Sequence, residues 1–174
     1  MLASVIVILA AAAVLQDSTL PPPVRPDSAP RPPTLEQVRY GEGLRSVARG
    51  VAQLRDGIDR VARTQALRDT VRQKQAGRRL GGLCTTARSF MSGGRPRMVP
   101  TAYTDSMRVI ARQLTQRVDS ILKFLPTCET TAGRKPASVA ADLLNRMRAY
   151  ETALAAFRAG LAPPKVDSTK TQSQ

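Results

Sequence analysis

The chain has 174 residues, a net charge of +14, and neither histidine nor tryptophan. Lack of histidine excludes Ser-His-Asp and Cys-His nucleophile systems, imidazole general bases and histidine-ligated metals, and two cysteines alone cannot complete a tetrahedral zinc site. The charge excess is mostly arginine, 22 against 5 lysines, which draws a protein toward anionic surfaces and polymers unless it merely reflects a composition rich in Arg, Ala and Val.

In chain order, residues 1–15 read as a signal peptide or short membrane anchor. The run LASVIVILAAAAVL at 2–15 carries no charged side chain. It matches the apolar core of a secretory signal and falls short of the ~20 residues a membrane-spanning helix needs. Ala11 and Ala13 supply small residues for cleavage. No Lys or Arg precedes the run, as a signal would have, so a cleaved signal, a retained interfacial anchor and a buried core segment all stay open. Residues 16–34 form a proline-rich linker. Proline lacks the amide donor and fixes φ, so this stretch is neither helix nor central strand but an extended tether.

Residues 35–162 are expected to form one all-α domain, an up-and-down bundle of three main helices and one short helix. Apolar residues at alternating three- and four-residue steps mark the main helices. In the first helix they are Leu44, Val47, Val51, Leu54, Ile58 and Val61. Thr34 with Gln37 forms a capping box that starts this helix near Leu35. Gly43, Gly50 and Gly57 recur by sevens along one edge and would admit a second helix at close range. Val47-Ala48-Arg49 returns as Val61-Ala62-Arg63 and Leu54-Arg55-Asp56 as Leu67-Arg68-Asp69, but with one residue missing between them. A bend, register change or helix end is therefore expected between Arg63 and Leu67.

From 68 to 97 the chain carries Arg68, Arg72, Lys74, Arg78, Arg79, Arg88, Arg95 and Arg97 against Asp69 alone, half of the total net charge. This window is the candidate surface for a polyanion or partner. The window reads as the end of the first helix, a break at Gly77 to Gly82, a short helix over 83–91 that carries Cys84, and then a loop. Cys84 and Cys128 are candidates for a disulfide closing a loop of about 45 residues, which would imply an oxidising compartment; two separate buried thiols are the competing reading.

The second main helix runs from Pro100, Thr101 or Thr104 to a stop at Pro126, with Met107, Ala111, Leu114, Val118, Ile121 and Leu125 on its seam. The third runs from Pro136 or Ser138 to Pro163-Pro164, with Ala140, Leu143, Met147, Tyr150, Leu154, Phe157 and Leu161. The short connection between them requires antiparallel packing. Residues 163–174 read as a disordered polar tail.

No phosphate-binding glycine loop is present, and Asp56 and Asp59 have arginines close by, as surface ion pairs do. The expectation is a protein that is not an enzyme and needs no cofactor or metal. It is expected to be an exported structural or interaction protein, periplasmic or extracellular, at the outer face of the cytoplasmic membrane. There it would serve as an accessory subunit of a membrane protein complex or dock on an anionic membrane surface. The alternative is a basic module that binds anionic lipid, an envelope polymer or nucleic acid. Nucleic acid is the disfavoured partner because no stacking aromatics accompany the arginines, and a homo-oligomer stays open.

Overall fold

The computed structural model describes residues 32–162. The expected signal or anchor, most of the linker and the tail lie outside the described residues. Four α-helices follow one another: α1 (Leu35–Ala66), α2 (Thr70–Gly94), α3 (Asp105–Thr131) and α4 (Pro136–Leu161). Two single turns of 3₁₀ helix, Arg95–Arg97 and Pro100–Ala102, bridge α2 to α3, and no strand occurs among the described residues.

The capping box starts α1 as its sequence requires. The Gln37 amide donates to Thr34 Oγ1 at 3.3 Å, and the Thr34 amide donates to Gln37 Oε1 at 3.0 Å. α1 ends at Ala66, where the internal echo loses its residue. Arg68 then takes a left-handed backbone angle (φ 53°), and Asp69 caps α2 by accepting from the Val71 and Arg72 amides, both at 3.0 Å.

Two expected helix ends are overturned. α2 is not a short helix behind a break at Gly77 to Gly82; it is 25 residues long and runs through both glycines. The reason is packing. Gly77 and Gly81 face the end of α3, where a Cβ at Gly77 would collide with the Ala132 carbonyl and one at Gly81 would sit 3.2 Å from the Glu129 carbonyl. A glycine costs up to about 1 kcal/mol inside a helix, and here the cost is offset by the close approach of two helices. Pro126 does not end α3, which continues to Thr131. Pro126 lies on the exposed face, so the turn it weakens is solvated, while Leu125, Cys128 and Ala132 stay buried. The Thr130 hydroxyl donates to the Pro126 carbonyl at 3.2 Å.

Neighbouring helices run antiparallel. Gly43 lies against Gly94 and Gly57 against Leu80, pairing α1 with α2. Cys84 meets Cys128 and Arg95 meets Asp119 across α2 and α3. Gly160 packs on Met107, and Arg146 donates to Ser120, across α4 and α3. α1 closes the ring through Arg55 to Glu151 and Tyr40 to Phe157.

The three expected seams are buried together, including Val47, Leu54, Val61, Leu114, Val118, Ile121, Leu143 and Met147. Leu44, Met107 and Leu154 are partly buried against that core, and Leu161 is 53% exposed, so the last seam ends at Phe157. α2 adds a fourth seam of smaller residues, Ala76, Leu80, Cys84, Ala87 and Met91.

Candidate functional site

The expected basic window is one stretch of sequence but two structural regions. Its C-terminal half is absorbed into the bundle. Arg95 makes a two-pronged bond to Asp119 on α3, Nε at 2.5 Å and Nη2 at 2.9 Å. That bond holds its guanidinium pKa above the ordinary value against the opposing effect of burial. Arg88 Nε lies 2.9 Å from Glu129 Oε1, an ion pair too oblique for a hydrogen bond. Arg97 approaches Glu42 at 3.9 Å. These three arginines tie α2 and the turn after it to α3 and α1.

The N-terminal half gathers at the end of the bundle where α1 turns into α2. Arg72 pairs with Asp69 at 3.2 Å, whereas Arg68, Lys74, Arg78 and Arg79 are exposed and make no ion pair among the described residues. Sequence reasoning missed four cations that the topology brings to this end: Arg60 and Arg63 from the last turns of α1, and Arg134 and Lys135 from the α3–α4 connection. Gly133, beside Arg134, packs on the Arg78 side chain. The signal was present, because in an antiparallel bundle the end of the first helix, the start of the second and the next connection but one meet at one end.

Between α1 and α2 at this end lies a hollow of about 290 Å³, lined by Arg60, Arg63, Thr64, Arg72, Gln75 and Arg79 among others. Arg60 is paired with Asp56 at 2.9 Å, and Arg63 Nε donates to the Asp59 carbonyl. Arg63 and Arg79 therefore face the hollow with no carboxylate on their guanidinium groups. At the apex of the same turn two aliphatic side chains stand in solvent, Leu67 at 62% and Val71 at 75% exposure. The Val71 and Arg72 amides of α2 are already taken by the Asp69 side chain, and the groups lining the hollow for an arriving anion are chiefly guanidinium.

Cys84 and Cys128 are bonded to each other, with Cα atoms 6.2 Å apart and both residues fully buried. The bond clamps the middle of α2 to the last turn of α3, and the cations at Arg78 and Arg79 sit within two turns of it. The glycine edge of α1 is filled by the chain itself. A Cβ at Gly43 would stand 2.5 Å from the Gly94 carbonyl, one at Gly50 2.6 Å from Met91 Cγ and one at Gly57 2.7 Å from Leu80 Cδ1. The edge admits α2, and it gives no reason to look for an outside helix.

Other chemistry is sparse. No group of three or more Cys, Asp or Glu among the described residues is placed to hold a metal ion. Tyr40, Tyr103 and Phe157 form an aromatic knot with centroids 5.2 to 5.4 Å apart at the opposite end of the bundle. Burial raises the pKa of all three tyrosines, Tyr150 to about 12, which makes them poor proton donors or acceptors near neutrality. No protein-family model matches the chain, and no curated protein or solved structure does either.

Proposed function

We propose that this is a non-catalytic structural or interaction protein, exported to the outer face of the cytoplasmic membrane, where it serves as an accessory subunit of a membrane-associated assembly. The buried Cys84–Cys128 bond carries the reading. A structural disulfide that clamps two core helices is typical of an oxidising compartment and rare in the cytosol, and the apolar run at 2–15 fits delivery there. No helix among the described residues is long and apolar enough to cross a membrane. The cationic end supplies the docking surface. Through Arg68, Lys74, Arg78 and Arg79, joined by Arg63, Arg134 and Lys135, it suits an acidic face of a partner or a negatively charged membrane.

N-terminal sequencing of the protein from fractionated cells, combined with mass measurement without reductant, tests the compartment. Recovery outside the cytoplasm with two fewer thiol protons supports the proposal; a cytoplasmic protein with free thiols ends it. Capture from gently solubilised membranes should find stoichiometric partners, and a free monomer would count against the subunit role. The second reading, a general polyanion-binding module, draws on the same unpaired cations. It expects affinity that falls steeply with salt and weakens when Arg78 and Arg79 are neutralised, and salt-independent binding would end it.

A further inference from the structure

We infer that the α1–α2 turn is a membrane foot: Leu67 and Val71 enter the headgroup layer of an anionic bilayer, and the arginines of the adjoining hollow hold lipid phosphates. This rests on the membrane setting proposed above and names the surface the cationic end meets.

Three observations converge on the turn. Leu67 and Val71 are 62% and 75% exposed and stand together at the apex of the α1–α2 turn. Around them stand Arg68, Lys74, Arg78 and Arg79, with no ion pair among the described residues, and the hollow lined by Arg60, Arg63, Arg72 and Arg79. The carboxylates near this end are Asp56 on Arg60, Asp69 on Arg72, and Asp59 and Asp142, which are exposed and in no ion pair among the described residues. Against Arg60, Arg63, Arg68, Arg72, Lys74, Arg78, Arg79, Arg134 and Lys135 they leave the cations in clear excess. Finally, Arg68 holds φ 53° just past the end of α1. Such an angle closes many helices, and glycine fits it without strain; Asp105 holds a similar one (φ 47°) at the start of α3, and at Arg68 its effect is to carry a guanidinium at the exposed apex.

The occupant follows from size and charge. Two aliphatic side chains offer far less than the roughly 800 Å² per partner of a stable protein interface. Interfacial membrane binding asks for this combination instead, a little apolar insertion beside clustered Lys and Arg over anionic headgroups. Arginine forks also match phosphate oxygens in pairs.

The chain contains no tryptophan, so one introduced residue reports its own position whatever the N-terminal segment does. Full-length Leu67→Trp and Val71→Trp, with Val109→Trp on α3 as an exposed control (53%), are mixed with phosphatidylglycerol-containing vesicles and with phosphatidylcholine vesicles. Circular dichroism confirms that each variant folds. The expected result is a blue-shifted emission and protection from aqueous quencher at 67 and 71 on anionic vesicles, no change at 109, and no change with phosphatidylcholine. At about a fivefold factor for each arginine near an anionic surface, Arg63→Gln with Arg79→Gln should weaken the vesicle concentration dependence of that signal about 30-fold. Tryptophans at 67 and 71 that stay wet on anionic vesicles overturn the inference, even if the chain sediments with them. So does an equal response to phosphatidylcholine. Heparin binding that depends on Arg63 and Arg79 while both tryptophans stay wet would assign the end to soluble polyanions instead. Cell fractionation fails or succeeds independently of these readouts, so the compartment and the foot stand or fall separately.

Discussion

The two ends of the bundle solve the same problem, closing four helices over a core, by different means. At the end where α1 begins, the core is aromatic and two of the arginines are tied to carboxylates, while Arg39, Arg45, Arg108, Arg112 and Arg158 are exposed there with no ion pair among the described residues. Tyr40, Tyr103 and Phe157 interlock, the Tyr40 hydroxyl donates to the Ala111 carbonyl at 3.0 Å, and Arg95 and Arg97 reach Asp119 and Glu42. At the end where α1 stops, the packing residues shrink to Ala76, Gly77 and Ala132, a disulfide lies inside, and cations collect without partners. One end adds side-chain bonds to a close backbone approach, that of Gly43 and Gly94. The other adds one covalent bond to its own, that of Gly77 and Ala132. Arginine count along the sequence therefore says little; what matters is which arginines already have a carboxylate.

The covalent half of that contrast should give the largest effect. Replacing Cys84 and Cys128 together by alanine is expected to cost about 4 kcal/mol in the chain-entropy picture of a 45-residue loop. It is read as a lower urea midpoint, and the wild type with its disulfide reduced should shift by a similar amount. A change under about 1 kcal/mol would mean that close packing alone holds the cationic end. The close-packing half comes next. Gly77→Ala drives a methyl into the Ala132 carbonyl, a backbone atom that cannot swing aside, so about 2 kcal/mol should be lost. Gly82→Ala meets nothing within 4 Å and should gain up to about 1 kcal/mol from helix propensity. Equal effects at the two sites would show that neither is a packing residue.

These two glycines also show how far the sequence could be read. The seams of α1, α3 and α4 were legible because Leu, Val, Ile and Met recur at helical steps, and Thr34 and Gln37 marked a helix start by their side-chain chemistry alone. α2 was not, because its seam is Ala76, Leu80, Cys84, Ala87 and Met91. Small residues read as breakers until a neighbouring helix is known to press on them. Pro126 misled for the same reason, since the burial that carries α3 past it comes from another helix. The pairing of Cys84 with Cys128 could be suspected from their even count. The split of the arginines could not, because Asp119 and Glu129 lie far along the chain and only folding brings them to Arg95 and Arg88.

A finer test of the aromatic side of the core uses its buried hydroxyls. Tyr40→Phe should cost about 1 kcal/mol, the worth of one buried hydrogen bond. Tyr150 is as deeply buried, but its hydroxyl has no partner among the described residues, so Tyr150→Phe should be neutral or slightly stabilising. The two should differ in alkali as well. Desolvation raises the Tyr150 pKa from 10.0 to about 12, so the folded protein holds that proton more tightly than the unfolded chain. The associated stability is intact below pH 10 and is lost as the pH climbs through 10 toward 12. Tyr150→Phe should flatten that part of the curve. An unchanged alkaline slope would mean that water reaches the Tyr150 hydroxyl in solution.

The smallest effect is the most informative about the cationic end. Arg68→Gly relieves a left-handed backbone angle that costs an L-residue roughly 1 kcal/mol or slightly more, while glycine gives back part of that through the entropy of the unfolded chain. The net should be a gain of about 0.5 kcal/mol or less. A stability gain there would mean that the chain keeps an arginine where a more stable residue exists, at the apex between Leu67 and Val71 and away from every ion pair that holds the bundle. If Arg68→Gly instead lost stability, the guanidinium would have to be bonded within the bundle. Arg68 would then be tied into the cationic end as Arg95 is tied into the other.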